Sequence, residues 1–145
     1  MVRRAAARVL RRIRTGFTAS EVHVWTEAGC LLVAVTGRDL DNLPRSIEFQ
    51  TADAADPDYD AADDEGYCLV NERHIPVFQA LETLRLSNDR IRLTLTRAAA
   101  HDWELPSTIL TIKLRMTPDD VGRLRAGLRR LFDVCSTELP RELRL

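Results

Sequence analysis

No stretch of the chain approaches the roughly 20 consecutive apolar residues that a membrane-spanning helix needs. Cysteine is scarce. Cys30, Cys68 and Cys135 form an odd, widely spaced set with no CxxC and no Cys/His pairing, which argues against a zinc site. Cys30 and Cys68 sit in the apolar runs CLLVAV and YCLV and read as small core residues of a reduced, cytoplasmic protein. The sequence also lacks GxSxG, a glycine-rich phosphate loop and HExxH. Its histidines are scattered: His23 falls in a strand pattern, His74 and His101 in loops, and none has a partner legible for acid–base work. Ser20, Ser46 and Ser87 have no nucleophile context. These absences argue against an enzyme, and no cofactor or metal is implied.

What the sequence has is uneven charge. Its 145 residues suit one domain, with a core large enough to need no staples. Residues 1–15 hold Arg3, Arg4, Arg8, Arg11, Arg12 and Arg14 and no acid. They contribute +6 to a net charge of −1, so the remainder carries −7. Val2, Ala6, Val9, Leu10 and Ile13 share one helical face in this basic extension. It reads as a loosely held tail, as a mis-assigned start upstream of Gly16, or as a helix for a membrane surface or nucleic acid. It makes a poor secretory signal. The rest divides into one domain over 16–135 and a C-terminal tail over 136–145.

From Phe17 the pattern is β-like. FTASEVHVW and CLLVAVT flank the turn signal TEAG, and RSIEFQ alternates with Ile47 and Phe49 on one face. GYCLVN follows an acidic stretch. ALETLRLS and RIRLTLT flank Asn88-Asp89, two residues that tolerate positive φ and so suit a hairpin. Leu84, Leu86, Ile91, Leu93 and Leu95 should share its buried face. TILTIKLRM places Leu110, Ile112, Leu114 and Met116 inward. Thr117 then caps a helix with Pro118 at its first position, acids in its first turn, and a stripe of Val121, Leu124, Leu128, Leu131 and Phe132. Gly122 and Gly127 weaken it unless they permit close approach to the sheet. The fold class is α+β: an antiparallel sheet of about six to seven strands with one C-terminal amphipathic helix on one face.

The site candidates lie in ADAADPDYDAADDEGY, residues 52–67, where Asp53, Asp56, Asp58, Asp60, Asp63, Asp64 and Glu65 occur with no basic residue. Asp56, Asp58 and Asp60 match positions 1, 3 and 5 of an EF-hand loop, but Ala61 replaces its glycine and Tyr67 its bidentate glutamate. Two readings stay open. One is a solvated, poorly ordered strand connection. The other is a partner surface, with carboxylates around Tyr59 offering a phosphate-like field to a basic protein. Trp103, in AAAHDWELP, reads as an exposed interface anchor or as a ring packed over the sheet edge. Trp25 ends the first strand in a capping or core role. Nucleic-acid binding by the domain is disfavoured by the sign of its charge.

The order of SIEFQ, DDEGYCLVN, ETLRLSNDRIRLTLT and TILTIKLRMTPDDVGRLRAGLRRLF resembles the immunity protein 10 family over roughly Phe17 to Phe132. The basic extension departs from that pattern. The resemblance implies a bacterial, cytoplasmic, non-enzymatic protein that binds and neutralises a cognate polymorphic toxin domain encoded by a neighbouring gene. It carries over no catalytic residue. A basic nuclease toxin would complement the acidic stretch. The alternative is a non-enzymatic adaptor or assembly module for another basic protein. No membrane or nucleic-acid partner is expected, and the oligomeric state stays open.

Overall fold

A computed structural model describes residues 16–135 and 138–145; the readings of the basic extension lie outside them. Five strands run as an antiparallel meander: β1 (Phe17–Glu27), β2 (Cys30–Arg38), β3 (Pro44–Ala52), β4 (Cys68–Asn71) and β5 (Pro76–Phe78). A second meander holds β6 (Leu81–Leu86), β7 (Arg90–Leu95) and β8 (Ile109–Leu114). Helix α1 (Arg97–Asp102) joins β7 to β8, and α2 (Pro118–Val134) joins β8 to β9 (Glu142–Arg144). The sheet order is β5-β4-β3-β2-β1-β8-β7-β6-β9.

The class is α+β, with three corrections. Nine strands replace six to seven, because β5 and β9 are three residues each, too short to show a period. The sheet is mixed: β1 pairs β8 and β6 pairs β9 in parallel, which alternation along one strand cannot reveal. Among the described residues there are two α-helices. His101 and its neighbours, read as loop, form α1, capped by Thr96, whose side chain accepts from the Ala99 amide. β9 lies within the stretch set apart as a tail.

One face of the sheet packs against α2. Val22, Val33, Val35, Ile47, Phe49 and Leu69 form one buried cluster with Leu124, Leu128, Leu131 and Phe132 of the expected stripe, and Val121 is buried as well. Gly127 gives close approach: a Cβ there would stand 3.1 Å from Val24 and Val33, whereas Gly122 has open space around it. Leu84, Leu86, Ile91, Leu93 and Leu95 share the buried face as expected. Their hairpin turns without positive φ at Asn88 or Asp89. The Ser87 hydroxyl instead donates to Asp89 at 2.9 Å, and the Ser87 amide to the Arg90 carbonyl at 3.0 Å. The sheet curls around the helix. The Tyr67 hydroxyl, beside β4, accepts from the Leu81 amide at the start of β6 (3.2 Å), and its ring meets Phe132 edge-on at 5.5 Å.

Candidate functional site

The acidic stretch connects β3 to β4 as a chain of turns, not a loose linker. Aspartate side chains favour this because an Oδ can accept from the backbone two residues on. Asp53 accepts from Ala55 (2.9 Å), Asp56 from Asp58 (2.9 Å), Asp60 from Ala62 (2.9 Å) and Asp64 from Gly66 (3.1 Å). Asp60 thereby caps one turn of 3₁₀ helix over Ala61–Asp63. The other Asp64 oxygen accepts from the Tyr59 hydroxyl at 3.0 Å. Asp58, Asp60, Asp63 and Glu65 are exposed; Asp56, Tyr59 and Asp64 are half-buried.

The loop is seated on the β1–β2 turn. The Asp53 amide donates to the Gly29 carbonyl at 2.9 Å, and a Cβ on Gly29 (φ 79°) would come within 2.7 Å of the Asp58 carbonyl oxygen. The field of the loop reaches its neighbours. Burial raises the Cys30 thiol pKa, and the charges of Asp56, Asp64 and Asp63 raise it further. The hydrogen bond to Asp64 raises that of Tyr59. Beside the loop runs the outer sheet face. Trp25, Leu32, Gln50, Cys68 and Phe78 are successive register partners from β1 to β5. Burial, then the Glu48 charge, pushes Cys68 up to about 11, and no disulfide joins Cys30, Cys68 or Cys135.

Two expected site residues are interior. Asp53 is 3% exposed and takes an ion pair from Arg130 of α2 at 3.2 Å, so it anchors the loop to the helix. Trp103 is also 3% exposed. Its indole donates to the Ile75 carbonyl at 2.9 Å and its own carbonyl accepts from Arg73, which is the packed alternative for this ring. Trp25 is half-buried on the outer face, with its indole 3.4 Å from a Glu27 oxygen. His23 is exposed beside Glu21, and His74 occupies a turn at φ 60°. Among the described residues, no group of three or more His, Cys, Asp or Glu side chains converges as a metal would require.

Sequence reasoning missed the β2–β3 turn. Leu40 and Leu43 are 76% and 57% exposed there, and Leu43 borders an open hollow of about 530 Å³ with Asp41, Glu72, Arg73 and Trp103. The available signal was RDLDNLP, two leucines outside any strand or helix period. No helix among the described residues is long and apolar enough to cross a membrane.

No curated protein matches the sequence. The model of the family described as Immunity protein 10 matches residues 18–122. That span runs from the second residue of β1 into the first turns of α2, and so includes the acidic loop and its seat. The chain belongs to the Immunity protein 10 family.

Proposed function

We propose that this chain neutralises a cognate toxin domain by stoichiometric binding in the cytoplasm of the producing cell, without chemistry of its own. Family membership gives the class of function. The observation that carries the choice of surface is the acidic loop. The carboxylates of Asp56, Asp60 and Asp64 are fixed by turns of the loop's own backbone, and residues 52–67 contain no basic residue to neutralise them. Asp56, Asp58, Tyr59, Asp60, Asp63, Asp64 and Glu65 make the contact in this reading, while Asp53 holds the loop from beneath. A fixed patch of one sign accelerates encounter with a basic partner and selects for charge. The toxin is basic where it meets the loop, as the substrate cleft of a nuclease would be.

The test is co-expression with the toxin domain encoded next to this gene, scoring growth and then co-purification. Rescue with a one-to-one complex supports the reading. Failure to rescue from an active toxin, with this chain folded, counts against it. Asn in place of Asp56, Asp58, Asp60, Asp63 and Asp64 keeps one oxygen for each backbone turn and removes the charge, losing besides only the second Asp64 oxygen that accepts from Tyr59. It should slow association about tenfold or more at low salt and flatten the salt dependence. Unchanged kinetics would take the loop out of the interface.

A further inference from the structure

The outer face of the second meander carries the opposite charge. Register makes Arg92, Arg85 and Arg144 direct neighbours across β7, β6 and β9, and one step along the strands Arg90 faces Lys113 across β7 and β8. All five side chains are exposed. Adjacent strands lie about 4.8 Å apart, so the three arginines rise from a span of about 10 Å. Like charges placed directly opposite each other destabilise a sheet. Two acids relieve the row in part. Glu142 pairs with Arg85 at 3.0 Å and Arg144 at 2.8 Å, and Asp89 pairs with Arg90 at 3.5 Å. Arg92, set between Thr111 and Arg85, has no ion pair among the described residues, nor does Lys113. The register itself is fixed on the other face, where Leu110, Leu93, Leu84 and Leu143 line up in the core. The outward positions were therefore free to be threonine, and they are arginine.

We propose that this arginine ladder is a docking surface for a carboxylate-bearing helix of a protein partner. Guanidinium groups pair with carboxylates in two-pronged fashion. Side chains four residues apart on a helix have Cβ atoms about 5–6 Å apart. That nearly matches the strand spacing, so a helix laid across the strands sets three successive acids over Arg92, Arg85 and Arg144. A nucleic-acid strand fits less well. Its phosphates would continue past a ladder only three arginines long, with Glu142 and Asp89 at its margins, on a domain whose charge beyond residue 15 is negative. This surface is separate from the acidic loop, and its test involves no toxin.

The experiment titrates the full chain with an alanine-based helical peptide bearing Glu at every fourth position, followed by amide NMR. The expected result is shifts confined to β6, β7, β9 and the adjoining part of β8. Affinity should fall about tenfold between roughly 50 and 300 mM salt. The Gln version of the peptide should give no shifts. Arg85→Thr with Arg92→Thr should weaken binding about tenfold or more while the thermal midpoint holds or rises, because the like-charge row is relieved. A merely structural role would lower the midpoint instead. Absence of Glu-peptide binding, equal binding by the double variant, or displacement of the peptide by oligothymidylate at the same arginines would each overturn the proposal.

Discussion

The acidic loop and the arginine ladder are both dense in one sign of charge, and the fold treats them in opposite ways. In the loop, Asp53, Asp56, Asp60 and Asp64 each spend an oxygen on a backbone amide two residues on, so crowding acids there builds the structure. In the ladder, Arg92 has no ion pair among the described residues and Arg85 and Arg144 share the single acid Glu142, while the register of their strands is set by leucines on the far face. Neighbouring groups register the difference too. The loop acids add to the burial that raises Cys30, whereas Asp89, at the end of the ladder, is held low by Ser87 and then by Arg90. A charge cluster can thus be a means of folding or a load on it.

Removing the buried acid of the loop should have the largest effect. Asp53→Ala loses the Ala55 cap and the Arg130 ion pair from a buried position, and is expected to cost about 2 kcal/mol in urea unfolding. A harmless Asp53→Ala would show that the loop does not depend on its buried acid.

The outer face beside the loop gives the next largest effect. The folded state holds the Cys68 thiol at about 11 against an ordinary 9.0, so it retains its proton where the unfolded chain has lost one. Stability is therefore intact below pH 9 and declines as pH rises toward 11, by about tenfold in the folding constant per pH unit. Cys68→Ala should remove most of that slope; an unchanged slope would place its cause elsewhere.

Asp60→Ala, which removes a cap, should cost about 1 kcal/mol, whereas exposed Asp58, with no cap to lose, should tolerate Ala within about 0.5 kcal/mol. The smallest effect has the opposite sign. Arg92→Thr should stabilise by a few tenths of a kcal/mol, because it ends one like-charge pairing and supplies a better strand former. A loss of stability there would show that the arginine serves the fold after all.

The acidic loop was legible in the sequence because its residues are contiguous, and the larger strands because their alternation is clean. The ladder was not, since Arg85, Arg92, Lys113 and Arg144 belong to four strands that only the register aligns. The parallel β1–β8 seam was hidden for the same reason. Helix α1 left a signal that could have been read: Thr96 before Arg97-Ala98-Ala99-Ala100 is a capping residue ahead of strong helix formers. Asp53 was grouped with the exposed acids because the charge of a stretch says nothing about which member faces inward, and for Trp103 the sequence left the exposed and the packed readings both open. Arg130 and the Ile75 carbonyl, which draw them in, lie far away along the chain.

The two meanders meet along three register pairs, with residue 17 beside residue 112. That gives the molecule an order of assembly. Hairpins close early, whereas a contact between such distant residues must wait for the entropy of a long loop to be overcome. During synthesis, β1 to β5 and the connection bearing the aspartates emerge well before β8, and the ladder is complete only once Arg144 has paired beside Arg85. A nascent chain therefore carries its acids before its arginine ladder can form, and the acidic loop gains its anchor when Arg130 reaches Asp53.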